Sequence, residues 1–259
     1  MSGPWLILVG AAAGVFAGLF GIGGGIIIVP ALILFAGFPL VKATGTSLAA
    51  ILLPVGILGA IAYHKAKAID LRASAYIAGG LLASVVVGAW LANSLPVGLM
   101  RKFFALFCLY VSWNFIDPVR RFRKWRGLEV PARPEPETTP RPAPYPLVGI
   151  GLLAGVMAGM FGIGGGNIIV PLLTLALGYP AKRAIATSLG AILFPFGLPG
   201  VIYYHNAGNL DLAAAAWIAG GLFLGTVFGA LITISLPSRT VKLLYGVFLV
   251  FVAARFLFF

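Results

Sequence analysis

One stretch of this chain is written twice. Gly14-Val-Phe-Ala-Gly-Leu-Phe-Gly-Ile-Gly-Gly-Gly-Ile-Ile-Ile-Val-Pro30 returns as Gly155-Val-Met-Ala-Gly-Met-Phe-Gly-Ile-Gly-Gly-Gly-Asn-Ile-Ile-Val-Pro171, 141 residues further on. The same spacing holds without a gap through Thr46-Ser47 and Thr187-Ser188, Pro54 and Pro195, Tyr63-His64 and Tyr204-His205, Asp70 and Asp211, and Ser94-Leu95-Pro96 and Ser235-Leu236-Pro237. Chance does not keep register over such a length. Whatever one copy folds into, the other must fold into as well. The chain therefore divides into a first repeat, 1–116, a connecting segment, 117–143, and a second repeat, 144–259.

Each repeat holds the same apolar segments: about 4–20, 26–38, 46–63, 73–93 and 99–116 in the first, and 146–161, 167–179, 187–204, 214–234 and 241–258 in the second. The hydrophobic fraction is 61% and the charged fraction 9%, against roughly 45–50% and about 25% in soluble domains. A soluble fold of this length leaves too much surface to hide that apolar mass. The composition implies an all-α polytopic membrane protein. The single Cys108 cannot form an internal disulfide. The opening apolar stretch is not preceded by Lys or Arg and outruns a signal-peptide core, so it reads as part of the fold and not as a leader.

The net charge of +12 is concentrated. Arg120, Arg121, Arg123, Lys124 and Arg126 lie in one run, in a segment that also holds Pro131, Pro134, Pro136, Pro140 and Pro142. A Pro-rich, charged, aperiodic stretch reads as a solvated linker. Beside membrane spans, a basic run marks the cytoplasmic side. Segment 117–143 is thus expected to be cytoplasmic, with no nucleic-acid partner.

Topology turns on residues 4–38. As one straight helix they would span about 50 Å at roughly 1.5 Å per residue, too long for one bilayer crossing. The break falls at Gly21-Ile-Gly-Gly-Gly25, where glycine allows unusual backbone angles. This predicts a broken, re-entrant-like hairpin followed by three transmembrane helices. Such a unit has odd parity, so the two repeats would be inverted; one kinked span instead would make them parallel. With the linker inside, inversion leaves Lys65, Lys67, Arg72, Lys182, Arg183, Arg239 and Lys242 inside, and Lys42, Arg101, Lys102 and Arg255 outside. The parallel reading reverses that majority, so the positive-inside rule favours inversion.

The chemistry-bearing positions are few. Glycine-rich backbone within a membrane exposes N–H groups that need partners in protein or in a wet cavity. Short helices starting after each break would present N-terminal donors suited to anions. Broken helices at matched positions of inverted halves point to a central transport site. Gly23, Gly24, Gly25, Gly164, Gly165 and Gly166 are therefore candidate backbone donors. The alternative for such glycines is close helix packing, which suits Gly14, Gly18, Gly155 and Gly159. Asn167, whose counterpart is Ile26, is either an N-cap or a donor to a bound oxyanion. Thr46, Ser47, Thr187 and Ser188 either complete an anion shell or cap and back-bond their own helices. Pro54 and Pro195 should kink the third segment, and Pro199 should add a kink in the second copy only. His64, Asp70, His205 and Asp211 are candidates for gating or proton transfer; the competing reading makes the Asp residues N-caps and the His residues helix C-terminal charges. Trp5, Trp90, Trp113 and Trp217 suit interfacial anchoring. The sequence carries no metal-ligand cluster, nucleophile triad or P-loop, so no enzyme activity, cofactor or ATP use is expected.

The duplicated Gly21–Pro30 and Gly162–Pro171, with Ala43-Thr-Gly-Thr-Ser47 and Ala184-Ile-Ala-Thr-Ser188 and the Tyr63–Asp70 and Tyr204–Asp211 elements, resembles the TauE/SafE sulfite exporter family over all but the linker. The resemblance implies an inner-membrane secondary transporter for small sulfur-containing anions of the sulfite, sulfonate or thiosulfate class, working by alternating access, with membrane lipid its other partner. An anion channel and a non-transport scaffold or insertion factor are the alternatives. Ile185 departs from Thr44, which breaks the symmetry of the expected site.

Overall fold

The structure is a computed structural model that describes residues 3–52, 56–94, 96–118, 122, 125–126 and 142–258. Among them lie twelve helices and no strand. The first repeat contributes α1 (Trp5–Phe20), α2 (Gly25–Ala36), α3 (Leu40–Leu52), α4 (Ile57–Lys65), α5 (Leu71–Ser94) and α6 (Val97–Ile116). The second contributes α7 (Pro144–Phe161), α8 (Gly166–Leu175), α9 (Ala181–Ile192), α10 (Leu198–Asn206), α11 (Leu212–Ser235) and α12 (Ser238–Phe258). The expected kink at Pro54 and most of linker 117–143, including its run from Arg120 to Lys124, lie outside the described residues.

The chain is a multi-pass membrane protein. Helices α5, α7 and α11 are each long and apolar enough to cross a bilayer, and α3 with α4 forms a fourth candidate span bent by 48°. Leu82, Val86, Trp90, Trp113, Leu224, Phe228, Leu231 and Phe251 face outward, a surface that water would not tolerate and lipid solvates. The third segment of each repeat is one expected span divided into two helices. In the second copy the division covers residues 193–197, and Pro199 sits in the first turn of α10. There its missing N–H has no partner to lose, so Pro199 opens a helix and adds no second kink.

The first segment reverses direction at its glycines. Trp5 at the start of α1 meets Phe35 at the end of α2, ring centroids 6.4 Å apart. Gly24 at the α2 start lies against Ala13 in mid-α1. So α1 and α2 are the arms of a hairpin and not one kinked span.

The tightest packing joins the repeats to each other. Gly10, Gly14 and Gly18 of α1 lie on the backbone of Ile218, Leu222 and Thr226 of α11. Gly221, Gly225 and Gly229 return the contact onto Ile7, Ala11 and Val15. Both series ascend together, so the two helices run parallel. Helices α5 and α7 repeat the arrangement through Gly80, Gly88, Gly151, Gly155 and Gly159. This is the small-residue packing expected of Gly14, Gly18, Gly155 and Gly159: without a hydrophobic drive between helices in lipid, close backbone approach supplies the dispersion contact.

Neighbouring glycines separate the two roles of the residue. A Cβ at Gly221 would collide with the Ile7 carbonyl, whereas one at Gly220 meets nothing within 4 Å. Gly221→Ala is therefore expected to destabilise by about 2 kcal/mol or more. Gly220→Ala should stabilise by up to about 1 kcal/mol through helix propensity. Thermal unfolding of the two variants in detergent checks the opposite signs.

Candidate functional site

The two Gly-Ile-Gly-Gly-Gly breaks meet at the centre of the fold. A Cβ on Gly23 would lie 3.2 Å from the Gly164 Cα, and one on Gly164 would lie 3.2 Å from the Gly23 Cα. Gly25 and Gly166 press against the Ile163 and Ile22 Cα positions at 2.5 Å in the same sense, so neither tolerates a side chain. Gly21, Gly23 and Gly24 have φ of 67°, 78° and 83°, and Gly162, Gly164 and Gly165 have 63°, 76° and 76°. L-residues with side chains rarely adopt that region. The motif thus needs glycine for conformation at three positions and for space at its last.

Helices α2 and α8 start where the breaks end. The backbone N–H groups of Gly25, Ile26, Gly166 and Asn167 have no acceptor among the described residues. These are the open donors of a helix start, placed in a fully buried region. The breaks carry no formal charge, so the local field comes from backbone dipoles.

Two serine hydroxyls hold the breaks in place, and other hydroxyls pin the helices around them. Ser47 Oγ donates to the Gly162 carbonyl at 2.7 Å and Ser188 Oγ to the Gly21 carbonyl at 2.8 Å. Tyr63 and Tyr204 donate to the Gly18 and Gly159 carbonyls, each at 2.7 Å. Thr46 Oγ1 accepts from the Asp211 N–H, and Thr187 Oγ1 from the Asp70 N–H, both at 3.1 Å. Neither helix capping nor back-bonding describes Ser47 and Ser188; they tether one repeat to the other. The protons of Ser47 and Ser188 are taken up by the Gly162 and Gly21 carbonyls. Thr44 and Ile185 approach Gly162 and Gly21 through their backbones, so the difference between their side chains leaves this contact symmetric.

Asp70 and Asp211 begin the following helices. Their Oδ1 atoms accept from the Ala73 and Ala214 N–H groups at 3.0 and 2.9 Å, the N-cap arrangement. Their Oδ2 atoms reach across the repeats. Arg183 Nη2 lies 3.9 Å from Asp70, and Lys42 Nζ lies 3.9 Å from Asp211. Tyr179 also donates to Asp70 Oδ2 at 3.1 Å, a bond that Phe38, its counterpart, cannot make. His64 and His205 are exposed at the ends of α4 and α10. Each Asp thus pairs with a cation of the other repeat.

Asn167 is fully buried; its Oδ1 accepts from Tyr245 Oη at 3.4 Å, and its Nδ2 has no partner. Tyr179 and Tyr245 are absent from the sequence-based site. The signal for both is that the first repeat has Phe38 and Phe104 at their positions.

Beside the breaks lies a cavity of about 10 Å³, lined by Ala17, Gly23, Ile51, Leu189, Ile192, Leu222 and Thr226 among others. That is about the room of one water molecule, too little for an oxyanion. Ile51 and its counterpart Ile192 both line this narrow space.

Comparison with known proteins gives a consistent picture. A family model described as "Sulfite exporter TauE/SafE" matches residues 6–256. A "probable membrane transporter protein" of Bacillus subtilis, YunE, is 27% identical over 100% of this chain and 98% of its own. One of Haemophilus influenzae is 32% identical over 95% of each chain. One of Methanocaldococcus jannaschii is 31% identical over 79% of this chain and 73% of its own. No solved structure matches.

Proposed function

Because the chain belongs to the sulfite exporter TauE/SafE family, we propose that it is a secondary transporter of small sulfur-containing oxyanions of the sulfite, sulfonate or thiosulfate class. It is a transporter and not an enzyme, resides in the inner membrane among lipids, and uses neither ATP nor nucleic acid. The observation that carries the reading is the buried meeting of two helix starts with open N–H groups, next to an unpaired Asn167 amide. Buried donors without acceptors suit a ligand that brings only acceptors. Gly23, Gly24, Gly25, Gly164, Gly165, Gly166 and Asn167 supply the donors. Ser47 and Ser188 hold the breaks closed and, with Thr46 and Thr187, join the shell when the tethers open.

The paired contacts support alternating access. The pairs Asp70–Arg183 and Asp211–Lys42 require each partner to lie on the same side of the membrane. The parallel reading puts them on opposite sides; the inverted reading puts the first pair inside and the second outside. The pairs therefore support inverted repeats, taken with 117–143 cytoplasmic, and a closure at each face: Asp70 with Arg183 and Tyr179 at one, Asp211 with Lys42 at the other. His64 and His205, exposed at the ends of α4 and α10, are the remaining candidates for gating.

Saturable, trans-stimulated sulfite uptake into proteoliposomes is the test; unitary currents would instead mark a channel, and no flux would leave a scaffold. Topology has its own check. Ala66 and Ala207 are counterparts in the two repeats. In a Cys108→Ala background, Ala207→Cys is expected to react with an impermeant thiol reagent from outside, and Ala66→Cys only after permeabilisation. Equal reaction of both from one side would overturn inversion.

A further inference from the structure

In the second repeat, two positions that touch each other both differ from the first. Where the first has Ile26 and Phe104, the second has Asn167 and Tyr245. In the second repeat the two apolar residues are replaced together by a hydrogen-bonded pair. Both polar residues are buried, Asn167 at 0% and Tyr245 at 1% exposure. The Tyr245 ring is fixed by Phe20 and Phe115, with centroids at 5.1 and 5.5 Å. Its hydroxyl has one proton, and Asn167 Oδ1 receives it. A flipped amide would donate Nδ2 to the Tyr245 oxygen and leave both the hydroxyl proton and Oδ1 without partners; in the structure Tyr245 holds the other orientation, with Nδ2 turned away from itself. Nδ2 then has no partner within the protein. A buried polar group of that kind calls for an explanation, and its cost is recovered if a ligand supplies the acceptor.

Resting on the oxyanion-transporter reading above, we propose that Tyr245 is a positioning residue that presents the Asn167 amide to the ligand as a donor and so selects anions whose oxygens carry no proton. Nδ2 of Asn167 joins the open N–H groups of Gly166 and Asn167 at the start of α8. The carbonyls of Gly21 and Gly162 at the crossing already accept from Ser188 and Ser47. A sulfonate or sulfate meets these donors with acceptors only. A hydrogen phosphate or phosphonate monoanion of the same shape and charge brings a hydroxyl and sets donor against donor. The site is one-sided, because Ile26 offers nothing equivalent.

The test uses the full-length protein and two probes matched in shape and charge: methanesulfonate, and methylphosphonate at a pH where it keeps one proton. Competition against sulfite uptake in proteoliposomes is expected to favour methanesulfonate by about tenfold or more in the wild type. Tyr245→Phe keeps the ring packing and frees the amide to turn Oδ1 toward a ligand hydroxyl. The preference should then fall toward unity. If Tyr245 only packs, both probes weaken by the same factor and the unchanged ratio overturns the proposal. Asn167→Asp, which puts an acceptor at the site, should weaken methanesulfonate by more than tenfold; unaltered competition would overturn the assignment as well. A wild type that moves sulfite without preferring the sulfonate overturns this selectivity while leaving the transporter reading intact. A wild type that moves no sulfur oxyanion fails the transporter reading itself.

Discussion

Gly166→Ala is expected to abolish both folding and transport. Gly166 is in helical conformation, so alanine's backbone preference would, if anything, help it. The obstacle is space alone. Its Cβ would enter the Gly21 carbonyl and come within 2.5 Å of the Ile22 Cα. Both are backbone atoms of a segment locked by Ser188, and rotamer changes cannot relieve the clash. We expect a loss above about 3 kcal/mol, read as disappearance of monodisperse protein on gel filtration in detergent. Gly25→Ala should do the same against Ile163. Gly37→Ala is the contrast: its φ is 66°, but a Cβ there meets nothing within 4 Å. Strain of about 1–2 kcal/mol is all that it should cost.

The second large effect separates stability from activity. Asn167→Ile combined with Tyr245→Phe gives the second repeat the residues that the first already uses. Replacing both members of a buried polar pair by apolar groups is close to neutral, or stabilising when one atom had no partner. Unfolding temperature should hold or rise, while sulfite uptake falls by about 30-fold or more, since donors aimed at charge in a dry site count for more than in water. A stable double variant with normal uptake would remove Asn167 from the binding site. Asn167→Ile alone should be less stable than the pair, because it strands the Tyr245 hydroxyl.

Much of this architecture is legible in the repeat. The equal spacing of Gly21–Gly25 and Gly162–Gly166 located the breaks, and odd parity followed from treating each as a reversal. The contact between Trp5 and Phe35 bears that reversal out. Helix interiors were harder to place. Composition shows α3 and α4 as one apolar run, and only the local geometry around 193–197 divides its second copy. The partners of the hydroxyls are not legible: Thr46, Ser47, Thr187 and Ser188 invite a local capping interpretation, yet their partners lie more than a hundred residues away. A single sequence contains no term for such distances. Asp70 and Asp211 show both levels at once, with one carboxylate oxygen capping its own helix and the other facing a cation of the other repeat. Tyr179 and Tyr245 are not legible in the repeat because they stand where it is broken, opposite Phe38 and Phe104.

The exchange of glycine-packed partners also constrains how the protein is made. Helix α1 finds its parallel neighbour only when α11 has been synthesised, near the end of the chain. Until then the grooves at Gly10, Gly14 and Gly18 face lipid or the insertion machinery. Helix α5 waits less, since α7 follows directly after the linker. Biogenesis should therefore be ordered, with the α5–α7 pair assembling first and the α1–α11 pair closing the molecule last. A nascent chain stopped before α11 is an open intermediate, and the quality-control proteases of the membrane would find it at its N-terminal hairpin.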